Sequence, residues 1–411
     1  MSRTEDERGR PPADLLSGVR VLDLTNVLSG PYATYQMAML GAEVIKVENP
    51  QGGDLARKLG AAPKLNGQML GTSFLAQNAG KKSVTIDLKQ PRGKELFREL
   101  LATADVVVEN FRPRVMERLG FGYEAVKAIR PSIVYCAISG FGQEGPLSGN
   151  PAYDQIVQGL SGVMSVTGDA QSAPLRVGYP LCDTLGGMGA AFAIASALFR
   201  RERTGQGCYI DLSMLDATIS AMGWAVSNYL IGGVEAKPIG NQNMTAAPSG
   251  AFQCADGQIN IAANKQEQFE RLCELTGLTD LLTDPRFAER EARKANRDAL
   301  NTLLNEALAA RGAEEWETLL NANGIPAGRI LSVPEILAHP QIAARDLIHE
   351  IPMGQPGLET VRVCRPGFTL GDGQPGARSA PPLLGADNAD IFGELGKDAS
   401  TLADLKAGGV I

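Results

Sequence analysis

Residues 18–48 read GVRVLDLTNVLSGPYATYQMAMLGAEVIKVE, and this stretch decides the fold class. Gly18–Thr25 is dense in Val and Leu and predicts a strand. Pro31–Leu40 predicts a helix, with Pro at an early position where its missing N–H removes no hydrogen bond. Gly41 ends that helix, and Glu43–Glu48 predicts a second strand. The alternation continues outward. Ser83–Leu88, Asp105–Glu109 and Ser132–Ser139 predict strands, and Gly93–Thr103 and Tyr123–Ile129 predict helices between them. Short Val/Ile strands alternating with helices imply an α/β domain whose parallel sheet is covered on both faces. Helices are predicted at Tyr153–Val166, Thr184–Arg203 and Ala217–Ile231, with a strand at Tyr209–Ser213.

After Gly232–Gly233 the character changes. Phe252–Ala263 predicts a hairpin turning at Asp256–Gly257. Helices at Glu267–Leu275, Arg297–Ala310 and Ala313–Asn321 follow, as in a smaller α+β domain. ETVRVC and GFTL look strand-like, and a terminal helix closes the chain.

The 411 residues suffice for two or three domains with a sizeable core. A net charge of −7, from 39 basic and 46 acidic residues, argues against a nucleic-acid surface or an anionic membrane partner. Gly186–Phe199 is the longest nearly apolar stretch; it is too short to span a bilayer and predicts a buried helix. Residues 1–14 have no apolar core and predict a frayed tail rather than a leader. Six cysteines without a CxxC fit reduced thiols in a cytoplasmic protein, not a disulfide frame or a zinc site. Only two histidines occur, His339 and His349, so any His-dependent triad, metal centre or general base must use one of them. Chemistry in this chain therefore points to carboxylates, amides, backbone dipoles or a cofactor.

Several short segments carry chemistry. Asn26–Pro31 joins a strand to a helix N-terminus, where α/β sheets bind anions. It is not a GxGxxG turn, and on spacing alone it reads first as a plain loop. Lys81 and Lys82 precede a strand; they suit a phosphate as point charges, or guard an edge strand as solvated cations. Asn110 and Phe111 end a parallel strand, where ligands gather, and Arg112, Arg114 and Arg118 follow. Asp183 precedes Gly186, Gly187 and Gly189. As an N-cap it stabilises a helix by about 1 kcal/mol. On spacing alone the cap reading comes first; three helical glycines at roughly 1 kcal/mol each also suggest that something bulky approaches there, beside which the carboxylate could act as a nucleophile.

Taken in order, GVRVLDLT-NVLSGP, LGAEVIKVENPQGGD, NAGKKSVTIDLKQPRGKELF, ADVVVENFRP, GFGYEAV, ISGFGQEGP, the Asp183 segment and RRERTGQGCYIDLSMLDA resemble the class III CoA-transferase family, the CaiB/BaiF group. The resemblance implies a Rossmann-like parallel-sheet large domain plus a smaller α+β domain, in an interlocked homodimer. On that pattern residues 1–16 form a flexible tail, 17–224 the large CoA-binding domain, 225–332 the small domain, and 333–411 a return segment completing the large domain. Asp183 becomes the catalytic aspartate, which carries an aspartyl-CoA thioester. CoA contacts fall on Val27, Leu28, Ser29, Asn49, Lys81, Lys82, Asn110, Phe111 and Arg118. No metal and no permanently bound cofactor are implied, because CoA thioesters are themselves substrates. The implied partners are an acyl-CoA and a small carboxylic acid.

Within the family, oxalate-specific members carry Gln where Leu28 stands, and a glycine run where this chain has Gly240–Phe252 (GNQNMTAAPSGAF). Members acting on succinyl-CoA and dicarboxylates carry Leu there and a P-x-R-x-G segment, matched by Pro174–Gly178. Arg176 then clamps a distal carboxylate, unless it is an ordinary loop arginine. An acyl-CoA racemase of the same fold needs a histidine where Tyr153 stands. A non-catalytic CoA-binding protein is the other alternative, and Asp183 in its glycine setting weighs against it.

Overall fold

The protein is described here from a computed structural model covering residues 14–371 and 373–411. Six short strands rich in Val and Ile form its main sheet. They are β1 (Arg20–Asp23), β2 (Glu43–Glu48), β3 (Lys82–Thr85), β4 (Val106–Glu109), β5 (Val134–Ser139) and β6 (Cys208–Ser213). Their order is β3-β2-β1-β4-β5-β6, and every pair is parallel.

Alternate residues leave opposite faces of a strand. Val21, Val44, Val106 and Val134 share a core with the first helix, Ser29–Met39, and the long helix, Leu181–Thr204. Leu22, Ile45, Val107 and Tyr135 share the other core with the helix Pro91–Ala102 and the last two helices, Asn388–Glu394 and Ala399–Ala407. Both faces are therefore covered, which accounts for burial at nearly every position of β1 to β5.

The chain forms two compact units. The first runs up to Val163 and includes Arg176–Val234 and Ala343–Ile411. It holds the parallel sheet and a hairpin of β10 (Ile348–Gln355) and β11 (Leu358–Cys364). The second comprises Met164–Leu175 and Glu235–Ile342. There β7 (Ser249–Gln253), β8 (Gln258–Ala262) and β9 (Ala327–Arg329) form an antiparallel sheet over a core of Phe269, Leu272, Leu300, Leu304 and Trp316. Residues 164–175 thus belong to the second unit, although the sequence boundaries put them in the large domain.

Other differences have local causes. Residues 1–13 of the expected tail lie outside the described residues. Leu16, at its other end, packs against the first core and is no part of a free tail. The single helix expected over Tyr153–Val166 is a helix at Asp154–Leu160 and a 3-10 turn at Val163–Val166, separated at Gly162, where φ is +85°. That expected over Ala217–Ile231 is two, Met214–Ala221 and Trp224–Gly232, broken at Gly223 with φ +49°. The GFTL segment is not a strand. The long helix exceeds its expected span and is long and apolar enough to cross a membrane. It packs on the sheet instead, yet it is not simply buried: Phe192 and Phe199 are 77% and 65% exposed.

β3 is an edge strand whose outer side is closed by the C-terminal segment. Asp387 accepts from the Ser83 N–H at 2.7 Å, and Asn388 from the Thr85 N–H at 2.8 Å. The Asp387 N–H donates to the Ser83 carbonyl at 3.0 Å.

Candidate active site

In this strand order β1 and β4 are neighbours, and the chain leaves them toward opposite sides of the sheet. Loops beyond their carboxyl ends must part, and the crevice between them is where doubly wound sheets bind ligands. Here it is a cleft of about 300 Å³. Asn26–Ser29 line it after β1, Asn110–Arg112 after β4, and Ser139 and Gly140 after β5; Tyr153 and Asp183 also line it. The Asn110 side chain ties the first two loops together. Its Oδ1 accepts from the Asn26 N–H and its Nδ2 donates to the Asn26 carbonyl, each at 2.8 Å.

Asp183 sits in the first turn of the long helix. It is not the cap of that helix. Asp154 takes the role from another element: its Oδ1 accepts from the Cys182 N–H at 2.8 Å and faces the Asp183 N–H at 3.4 Å. Its Oδ2 accepts from Gln158 Nε2 at 2.7 Å, and the Gln158 Oε1 accepts from the Val177 N–H at 2.9 Å. Asp183 is thereby free of capping and forms no ion pair among the described residues. Burial, with the Asp154 charge adding to it, pushes its carboxyl up to about 7. Such a group is part carboxylate near neutral pH and little stabilised as an anion, which suits a nucleophile.

The glycines after Asp183 have a different cause from the one expected. A Cβ on Gly187 would stand 2.5 Å from the Ser29 carbonyl oxygen and 3.0 Å from the Tyr32 ring. One on Gly186 would lie 2.9 Å from both Met214 and the Ser29 hydroxyl. The bulky object is the first helix, not a ligand. These glycines let the two helix N-terminal ends meet, which sets Ser29 and Asp183 around one cleft.

Val27 has φ +68°, unusual for a β-branched residue, and adopts it in the wall of this cleft. Ser29 is 3% exposed, and its buried hydroxyl has no hydrogen-bond partner among the described residues.

Of the residues expected at the site, Val27, Leu28, Ser29, Asn110, Phe111 and Asp183 line the cleft. Lys81 requires correction. Its ammonium is buried 2.8 Å from Asp23 and donates to the Pro31 carbonyl and the Thr34 hydroxyl. Burial pulls it down to about 8, with Lys46 adding to the effect and Asp23 opposing it. A lysine so enclosed has no donor left for a phosphate. Lys82 also moves. It bonds Glu43 at 2.6 Å, and Glu43 and Arg20 begin β2 and β1, so its charge lies at the amino edge of the sheet. Asn49 follows β2 at the carboxyl edge, exposed, with its Oδ1 accepting from the Gln51 N–H. Arg118 is exposed on the helix Val115–Leu119. Arg176 lies 4.0 Å from Asp154 and is nearly half exposed.

Sequence reasoning missed three groups. Asp154 and Gln158 act on residues about twenty to thirty positions away, and no spacing signals that. Glu109 ends β4, buried, and accepts from the Phe111 N–H at 2.8 Å. Burial pushes it up to about 8, helped by Glu117 and Asp211. Its signal was available: a carboxylate in VVVEN at the end of a wholly buried strand.

Comparisons with known proteins identify the family. Residues 16–388 match the family described as CoA-transferase family III. A succinyl-CoA:glutarate CoA-transferase of Mus musculus is 37% identical over 98% of this chain and 93% of its own. An acetyl-CoA:oxalate CoA-transferase of Acetobacter aceti is 42% identical over 85% of this chain and 88% of its own. The crystal structure of a CAIB/BAIF family protein from Brucella suis aligns with a TM-score of 0.82 at 35% identity, covering 92% of this chain and 99% of that one.

Proposed function

The chain belongs to CoA-transferase family III, and from that premise we propose that it moves CoA from succinyl-CoA to a small dicarboxylate through a thioester on Asp183. The observation that carries the reading is the Asp183 carboxylate, lining the switch-point cleft and pushed up to about 7 by burial. Two relatives named for dicarboxylate acceptors, glutarate and oxalate, support the acceptor class.

In the first step an Asp183 oxygen attacks the acyl-CoA carbonyl carbon, and the thiolate of CoA leaves with the electron pair of the C–S bond. The product is a mixed anhydride between Asp183 and the donor acid. The thiolate then attacks the Asp183 carbonyl carbon and the donor leaves as its carboxylate. A carboxylate of the acceptor attacks this aspartyl thioester, expelling CoA thiolate and forming a second anhydride. Attack of CoA on the acceptor carbonyl completes transfer and returns Asp183 as a carboxylate. No proton is moved by a base at any of these steps, in keeping with a cleft that has Tyr153 where a racemase needs histidine.

Val27, Leu28 and Ser29 contact the CoA moiety from one side, and Asn110 and Phe111 from the other. Arg112 lines the cleft, and Lys89 is exposed beyond β3 at the carboxyl edge. With Asn49 and Arg118 they supply polar and charged contacts for the phosphates. Arg176 binds the distal carboxylate of the acceptor. The working form is an interlocked homodimer, supported by apolar side chains that the first unit leaves exposed: Phe192 and Phe199 on the long helix, and Trp224, Leu230 and Ile231 on the helix Trp224–Gly232.

The test is to incubate the protein with succinyl-CoA and no acceptor. A CoA adduct should accumulate, be cleaved by hydroxylamine and be reduced by borohydride at a peptide containing Cys182-Asp183-Thr184. Glutarate or another dicarboxylate should then discharge it as a new CoA ester. An adduct on a different peptide, α-proton exchange, or binding of CoA without any turnover would each defeat the proposal. Discharge only from acetyl-CoA to oxalate would keep the mechanism and replace the substrate pair.

A further inference from the structure

Beneath the loop Thr25–Pro31 lie six charged side chains, each no more than 5% exposed: Asp23, Lys46, Glu48, Asp54, Arg57 and Lys81. Three are acids and three are bases, so the group is neutral. Buried charges are costly unless each is paired and hydrogen-bonded, and here the pairing is dense. Arg57 bonds both oxygens of Glu48 at 2.7 Å. Glu48 accepts from the Asp54 N–H at 2.9 Å. Lys46 lies 2.9 Å from Asp54 and donates to the Thr25 carbonyl at 2.7 Å. Burial pulls Lys46 down, but Asp23, Asp54 and Glu48 outweigh it and hold it above its ordinary value.

One bond in this group reaches the cleft wall. Asp54 Oδ1 accepts from the Val27 N–H at 2.9 Å, and it also accepts from the Ala56 N–H at 2.9 Å. Val27 is the residue with φ +68°. The left-handed region costs a non-glycine residue roughly 1–2 kcal/mol, and such conformations persist only where neighbours impose them. The neighbour here is Asp54, aimed by Lys46, which grips the Thr25 carbonyl just before the strained residue.

We propose that Asp54 and Lys46 are positioning residues for CoA-ester binding, holding Val27 in the left-handed conformation that shapes the cleft wall. They touch no substrate; they act through the Val27 backbone. The inference rests on the reading of the cleft as the CoA site and names what keeps that site formed before ligand arrives. A prepared wall lowers the ordering cost of binding.

The experiment uses the full chain and CoA itself as the probe, with affinity measured by calorimetry and KM and kcat measured for succinyl-CoA. Asp54→Ala should weaken CoA about tenfold, the equivalent of about 1.4 kcal/mol, and raise KM to match while kcat falls little. Glycine enters the left-handed region without penalty. Val27→Gly also removes a side chain that contacts CoA, so the effect is read within each background: Asp54→Ala should weaken CoA about tenfold in the parent but no more than about threefold in the Val27→Gly background. The pair Asp54→Asn with Lys46→Met keeps the acceptor for the Val27 N–H and leaves no unpaired buried charge, so it should bind at least about threefold more tightly than Lys46→Met alone. If Asp54→Ala does not fold, Lys46→Met tests the same link, with the same weakening in the parent and the same smaller effect in the Val27→Gly background. Undiminished affinity in Asp54→Ala and Lys46→Met, or an equal loss with and without Val27→Gly, would overturn the proposal. A parent protein that binds no CoA would overturn the reading of the cleft and this inference together, whereas a parent that binds beside variants that bind equally removes the inference alone.

Discussion

At Asp183, the residue proposed to carry the chemistry, the surroundings do two opposed things. They place it at a helix N-terminus, which favours an anion, and bury it beside Asp154, which disfavours one. Burial wins, and the carboxyl is pushed from 3.8 to about 7. The kcat/KM for the acyl-CoA should thus rise with pH to a plateau through about 7, and the limb should move to lower pH in Asp154→Asn; a flat profile from pH 5 to 9 would exclude ionised Asp183 as the attacking group. The same displacement has a stability consequence. A carboxyl raised on folding favours the folded state fully below its unfolded value and loses that contribution as pH rises through the folded value. Asp183→Asn should abolish exchange yet melt higher than the parent at pH 8, by up to about 4 kcal/mol at about 1.4 kcal/mol per pH unit. The two proteins should converge near pH 4, as differential scanning calorimetry would read. Arg176 gives a separate expectation. Arg176→Ala should lower kcat/KM for dicarboxylates at least tenfold more than for monocarboxylates, and equal losses would make it structural.

At the level of elements, the contact between the first and long helices is set by glycines of unequal importance. Gly187 faces backbone, which cannot move aside. Gly189 faces only the Cδ1 of Leu212, at 3.2 Å from where a Cβ would be. Gly187→Ala should cost about 1–3 kcal/mol in urea unfolding. Gly189→Ala should be neutral or gain up to about 1 kcal/mol, as expected of alanine in a helix. Equal effects would mean that the helices do not meet at Gly187. Elements were also where the sequence was most readable. Val/Ile-rich strands and helix periods depend on residues within a few positions of one another, so β1 to β6 were legible. The breaks at Gly162 and Gly223 were not, since a helical glycine and a helix-ending glycine look alike until φ is known. Partners far along the chain were equally silent. GKKS shows two surface-like lysines, and nothing near it announces that Asp23, 58 positions earlier, buries the first.

For the molecule as a whole, the exposed apolar side chains of the first unit are expected to be covered by a second copy. Ile231, 87% exposed, is the sharpest probe. The parent should sediment at twice the chain mass, and Ile231→Asp should shift the equilibrium toward single chains with parallel loss of activity. A monomeric, fully active parent would leave that surface without a partner. The placement of Asp387 and Asn388 along β3 bears on how the protein is made. Synthesis proceeds from the N-terminus, and early parts of a domain collapse before later ones emerge. β3 is complete some 300 residues before the side chains that close its outer side exist, as the separation between Ser83 and Asp387 measures. Until Asp387 and Asn388 leave the ribosome, an unpaired strand edge is open to any other nascent chain. The segment around Asp387 therefore acts as a late-arriving seal, and a chain truncated before Asp387 would meet the quality-control machinery with that edge bare.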